Sequence, residues 1–173
     1  DLEALGLPPT PLHLSNSTDP LQRALESKYR NTLLTLRLIA KHRSQFTSLV
    51  ILTKNPVMLC QKEYLSTLSS PEIKPLTVQI TCAFWRDEVR AFYEPQAPSI
   101  DNRLNAMKSL AEKGIDVELR MDPLFPSTRI PKELRGHDNL STYSMPEAQT
   151  QDDIEQLVRF AKEAGAKAVI AKP

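Results

Sequence analysis

Four short polar strings each follow an apolar stretch. They are Ser15-Asn16-Ser17-Thr18-Asp19-Pro20, Thr53-Lys54-Asn55-Pro56, Gln79-Ile80-Thr81-Cys82 with Glu94-Pro95 downstream, and Arg120-Met121-Asp122-Pro123. They bring hydroxyls, carboxamides, carboxylates, a lysine and an arginine, which are the groups that hold a polar or charged ligand. The only cysteines are Cys60 and Cys82. An iron–sulfur cluster usually takes three or four thiolates, so these two do not hold one by themselves. His13 and His42 stand singly, and His137-Asp138-Asn139 offers one imidazole and one carboxylate, too little for a metal site. There is no Gly-rich phosphate loop, no serine nucleophile elbow and no metalloprotease motif. No acid–base pair assembles for an ordinary, iron-free barrel enzyme.

Each string also has a plainer reading. Asn16 to Asp19 suits a turn that caps the next helix, because Asp and Ser bond to nearby backbone there. Lys54 suits a solvated loop lysine, and Asp122 before Pro123 suits a strand end. Glu94 and Arg103 suit a salt bridge that holds a connector in place. Cys60, beside Leu59 on a predicted helix, suits a small core residue. Cys82, at a strand end, is a minor candidate for a thiol hydrogen donor.

The elements that position these strings alternate strand and helix. Strands are predicted at Leu12–Ser15, Ser48–Thr53, Leu76–Cys82, Asp116–Met121 and Lys167–Ala171. The continuous run Leu49-Val50-Ile51-Leu52 suits a strand covered on both faces, as in parallel sheets. One long helix is predicted from Leu25 to His42, with Leu25, Tyr29, Leu33, Leu36 and Ala40 inward. A short helix carries Leu59, Leu65 and Leu68, and a connector holds Glu94 to Pro98. Ser99 is the expected N-cap of a helix over 101–113, ended by Gly114. Thr150 to Asp153 has the form of a capping box for a last helix that reaches Ala164. The segment 127–149 shows little periodicity.

Strand–helix alternation predicts a parallel sheet with right-handed crossovers. Periodicity alone leaves a doubly wound sheet and part of a barrel both open. In either fold the ligand end is the carboxyl end of the strands, where the four strings converge.

The chain has 173 residues, 40% hydrophobic and 25% charged, which predicts a single domain over 1–173. The net charge of +1 gives nucleic-acid binding no independent support. No apolar run approaches the roughly 20 residues of a membrane span. Two cysteines without a disulfide framework predict a reducing, cytoplasmic setting. Both ends read as cuts through a larger protein.

In order and spacing, the strings from about Leu12 to Pro126 resemble radical S-adenosylmethionine (SAM) proteins of the spore-photoproduct-lyase-like type. The residues that carry the resemblance are Asn16-Ser17-Thr18-Asp19-Pro20 with Gln22, Glu26, Tyr29 and Arg30, then Thr53-Lys54-Asn55-Pro56. Ile80-Thr81 through Glu94-Pro95, Ala97-Pro98-Ser99 and Arg103-Leu104 to Gly114-Ile115 continue it, and Asp122-Pro123-Leu124-Phe125-Pro126 ends it. The resemblance implies an α/β fold, a parallel-sheet partial (β/α)6 TIM-like barrel present from about its second strand onward. It implies SAM as cofactor, and a [4Fe–4S] cluster whose three-cysteine loop would lie upstream of this chain. Reductive cleavage of SAM to a 5′-deoxyadenosyl radical is the implied chemistry, with the substrate left unnamed and nucleic acid present by analogy only.

Carried over by position, the implied SAM contacts are Thr18 through its hydroxyl and Lys54 at the SAM carboxylate. Asn16, Asp19, Gln79 and Thr81 complete the candidate set. Gln79 falls near a position where photoproduct lyases carry a serine, and it is longer. Asn16 falls where true photoproduct lyases carry a hydrogen-donating cysteine, which argues against that repair reaction. The competing expectation is a catalytically empty βα scaffold or interaction domain.

Overall fold

The run Leu49-Val50-Ile51-Leu52 forms the middle of a strand at Phe46–Thr53, second in a five-stranded sheet. The computed structural model describes residues 5–15, 18–125 and 146–172. Its strands are β1 (Thr10–Leu14), β2 (Phe46–Thr53), β3 (Leu76–Thr81), β4 (Asp116–Met121) and β5 (Val169–Ala171). Its α-helices are α1 (Arg23–Tyr29), α2 (Asn31–Lys41), α3 (Lys62–Leu68), α4 (Asp87–Tyr93), α5 (Ile100–Glu112) and α6 (Gln151–Glu163). Short 3-10 turns at Arg43–Gln45, Pro56–Cys60 and Pro71–Ile73 join them.

All neighbouring strands are parallel, and the order β1-β2-β3-β4-β5 follows the chain. A doubly wound sheet reverses order at a switch point; this sheet does not. Right-handed crossovers that all step the same way put every helix on one face. This is the singly wound α/β arrangement of a partial TIM-like barrel, as expected. Side chains alternate across each strand. One face carries Leu49, Ile51, Val78, Ile80, Val117 and Leu119, all buried in one core with Leu33, Leu36, Met107, Leu110 and Leu157 of the helices. By register, the other face carries Val50, Leu52, Thr77, Gln79, Thr81, Glu118 and Arg120. It is far more polar than a covered parallel sheet would be.

The local caps form as predicted. Ser99 accepts the N–H of Asn102, and Thr150 and Asp153 make a reciprocal capping box. Gly114 takes the left-handed conformation at φ 71°. The long helix predicted from Leu25 to His42 is two helices. Arg30 breaks it at φ 53°, and the buried Glu26 carboxylate caps α2 by accepting the N–H groups of Thr32 and Leu33. Tyr64 donates its hydroxyl to the same carboxylate. The break turns α1, so Leu25 and Tyr29 are about half exposed, against expectation. Ile39 packs inward with Leu33 and Leu36.

The connector after β3 contains an unpredicted helix, α4. Its buried positions are Val89 and Arg90. Arg90 lies inward because Asp87 and the Glu94 and Ala97 carbonyls take its N–H groups. A second small core of Phe84, Val89 and Ala148, with Tyr93 and Phe125 against it, closes the ends of β3 and β4. Gln149 ties that end by donating to the Ala83 and Pro123 carbonyls and accepting from the Phe125 N–H. Of the segment 127–149, only 146–149 is described.

Candidate functional site

Strand ends create the site. Where β1, β2, β3 and β4 stop at their carboxyl ends, a cavity of about 370 Å³ opens. Ser15, Thr18, Asp19, Leu52, Thr53, Lys54, Thr81, Arg120 and Asp122 line it. It draws on four strand ends that are up to about a hundred residues apart in sequence. Asn16 lies outside the described residues, as does His137-Asp138-Asn139.

Thr18 is exposed at the rim, and its carbonyl accepts the Ser15 hydroxyl at 2.5 Å. Ser15 bends the chain there at φ 86°, a conformation uncommon for a residue with a side chain.

Asp19 is consumed by the fold. One oxygen accepts the Leu21 N–H at 2.9 Å and the Thr53 hydroxyl at 2.8 Å. The other accepts the Lys54 N–H at 2.6 Å. Asp19 therefore lines the cavity as the tie between two loops.

The Lys54 ammonium is 2.6 Å from Glu94 Oε1, and Glu94 Oε2 is 2.6 Å from Arg103 Nη2. The expected Glu94–Arg103 salt bridge forms, and Lys54 extends it to the mouth. Lys54 remains 43% exposed, while Arg103 is fully buried.

Thr81 reaches the cavity, but Gln79, two residues earlier on the same face, does not. Gln79 is buried beneath it, donating to Glu118 at 3.0 Å and accepting from Arg120 Nη1 at 3.2 Å. Arg120 also reaches Asp122 Oδ2 at 2.6 Å through Nη2. Gln79 thus supports a lining residue. Ser15 stood in the first polar string but not in the candidate contact set, and Leu52 and the Lys54–Glu94 pair were absent from the sequence-based site. Only the φ of Ser15 and long-range pairing reveal them, and neither has a local sequence signal.

The cysteines turn away. Cys82 follows Thr81 and therefore faces the helix layer, where it is fully buried. Burial pushes its thiol up to about 12; Arg103 opposes the rise and Glu94 adds to it. Burial also raises Cys60, whose thiol lies 3.7 Å from the Pro56 carbonyl and 3.8 Å from that of Ala106. Among the described residues no three His, Cys, Asp or Glu side chains gather as a metal site. This chain's own residues do not fit a [4Fe–4S] cluster. No helix among them is long and apolar enough to cross a membrane.

No protein-family model matches the chain, and no curated protein sequence matches it. Among solved structures it is similar to Streptococcus suis SuiB bound to S-adenosylmethionine, at 13% identity and TM-score 0.46, over 81% of this chain and 32% of SuiB. It is similar to a domain of pyruvate-formate lyase-activating enzyme from Bacteroides vulgatus, at 15% identity and TM-score 0.43, over 81% of this chain and 93% of that one. Rhizobium etli pyruvate carboxylase is a further likeness, at 14% identity and TM-score 0.34, over 96% of this chain and 16% of that one. The chain spans about a third of the length of SuiB.

Proposed function

We propose that this chain is the SAM-binding part of a radical SAM enzyme barrel, with the spore-photoproduct-lyase-like proteins as the finer assignment. The observation that carries the reading is the meeting of Thr18, Lys54 and Thr81 around one cavity at the carboxyl end of a singly wound parallel sheet. These are positions the sequence motifs pick out, and three separate strand ends supply them. The finer assignment rests on the motifs alone.

Lys54 would hold the SAM carboxylate by a charge-assisted hydrogen bond, the strong kind. The Thr18 and Thr81 hydroxyls would bond the polar atoms of the bound molecule, and Arg120, held by Gln79 and Asp122, would limit its reach toward β4. Bound SAM, given one electron, would supply a 5′-deoxyadenosyl radical for hydrogen abstraction from a substrate, with methionine as the group released. The electron source would lie outside this chain. The substrate stays unassigned; the near-neutral charge does not favour nucleic acid.

A second reading, an empty βα scaffold, is favoured by one fact: Asp19, Lys54, Gln79, Arg120 and Asp122 already bond to other groups of the chain. Calorimetric titration of the 173-residue chain with SAM separates the two. Binding lost in Lys54→Ala supports the enzyme reading, and no binding at millimolar SAM supports the scaffold. A longer protein carrying a Cys-x3-Cys-x2-Cys loop before this segment should, after anaerobic reconstitution, release 5′-deoxyadenosine from SAM. The chain alone should not.

A further inference from the structure

We propose that Glu94, itself held by Arg103, is a positioning residue that aims the Lys54 ammonium at the carboxylate of the ligand in the mouth. The proposal deepens the SAM-binding reading and rests on it. Lys54 has a flexible four-carbon stem, and such a cation ordinarily samples many directions. Here it is held at both ends. Its N–H bonds Asp19 at 2.6 Å, and its Nζ meets Glu94 at the same distance. Glu94 is only 7% exposed.

The Glu94 carboxylate is fixed in turn. Its other oxygen takes Arg103 Nη2, and two further nitrogens of Arg103 donate to backbone. Nε donates to the Pro98 carbonyl at 2.9 Å and Nη1 to the Thr81 carbonyl at 2.8 Å. Arg90 donates to the Glu94 and Ala97 carbonyls, which fixes the turn that carries Glu94. The chain of contacts thus runs from the end of β3, through a fully buried guanidinium, to the rim.

The balance of charge indicates what it is for. A buried Glu94–Arg103 pair is complete without Lys54. Adding Lys54 makes two cations share one carboxylate, and the surplus positive charge rests on the one member that is substantially exposed. The neighbouring Asp19 carboxylate already accepts three donors, including the N–H of Lys54 itself. The Lys54–Glu94 contact is an ion pair, and an ammonium has three donors. These donors would serve an anionic group in the cavity.

The test compares SAM with decarboxylated SAM by calorimetry on the full chain, in the unaltered protein, Glu94→Gln, Lys54→Met and the double variant. Glu94→Gln is expected to weaken SAM about tenfold and decarboxylated SAM less than twofold, since a bond to a charged group is lost only with the carboxylate. On the Lys54→Met background it should change neither. An equal loss for both ligands, or the same loss without Lys54, overturns the proposal. If Glu94→Gln does not fold because Arg103 is left unpaired, Glu94→Gln with Arg103→Met replaces it, with the same expectations. A second measurement needs no ligand: 13C relaxation of the Lys54 Cε methylene. It should be restrained relative to Lys108 and released in Glu94→Gln. A Lys54 as mobile as Lys108 overturns the positioning role whatever binds. A restrained Lys54 in a chain that binds no SAM overturns the SAM assignment and leaves the positioning role standing.

Discussion

The Asp19 carboxylate accepts the backbone N–H of Lys54 at 2.6 Å, joining the loop after β1 to the loop after β2 across 35 positions of sequence. With the Thr53 hydroxyl and the Leu21 N–H on its other oxygen, it closes the two loops into one rim. Asp19→Ala should therefore cost stability as well as ligand binding. Hydrogen bonds to a charged group contribute roughly 1.5–3 kcal/mol, so a loss of that order is expected in urea unfolding. Asp19→Asn, which keeps one carbonyl acceptor, should lose less. A variant as stable as the parent would show that the tie is dispensable.

Lys54→Ala should behave in the opposite way. The side chain is half exposed and leaves Glu94 with its buried partner Arg103. Unfolding should shift little, while SAM binding weakens by roughly 1.5–3 kcal/mol, the contribution of a bond to a charged group. Calorimetry and denaturation on the same preparation check both halves. Unchanged SAM binding would remove Lys54 from the site.

Cys82 predicts an alkaline sensitivity. Its thiol is pushed up to about 12 in the folded chain, chiefly by burial, while an unfolded cysteine ionises at about 8.5. Between those values the unfolded state holds fewer protons than the folded one, so stability falls as pH rises. The contribution is fully present below the unfolded value and is lost as pH climbs toward the folded one. The slope of unfolding free energy against pH, measured from about pH 8 to 11, should be shallower in Cys82→Ala. The native thiol should also resist a thiol-reactive dye. Equal slopes, or rapid labelling of Cys82 in the folded chain, would contradict its burial.

Two glycines offer a matched comparison. Gly114 sits at φ 71° with open space where a Cβ would stand, and Gly165 sits at φ 93° where a Cβ would come within 2.7 Å of the Ala111 Cβ. Gly114→Ala bears backbone strain alone, about 1–2 kcal/mol. Gly165→Ala adds overpacking between α5 and α6, roughly 1–3 kcal/mol more. Thermal unfolding of the two variants should rank them in that order; the reverse ranking would mean that α6 does not pack on α5 as described.

β1 is one edge of the sheet, paired to β2 on one side and to no strand on the other among the described residues. Open edges template further pairing. Sedimentation velocity should show concentration-dependent association, reduced by His13→Lys on the exposed edge. A monomer at every concentration would argue that the edge is protected.

Local features were legible in the sequence. The apolar run Leu49 to Leu52, the Ser99 cap, the Thr150–Asp153 box and the Gly114 stop each depend on a few adjacent residues, and each forms as read. Strand–helix alternation was enough for a parallel sheet. The convergence of Thr18, Lys54 and Thr81 on one cavity also followed, because residues just after parallel strands share one end. Tertiary structure alone decided the rest. Glu26 splits one predicted helix into two because a buried carboxylate must find donors, and the free N–H groups of Thr32 and Leu33 supply them. Helix α4 has no apolar period to read, because its inward side includes Arg90, satisfied by carbonyls that only the fold brings near. Asp19 turned into a tie, Gln79 into a support for Arg120, and Lys54 into the end of a charge chain through Glu94 to Arg103. Those pairings span from 9 to 41 positions. Polar groups choose partners by distance and angle in space, and no periodicity along the chain records that choice.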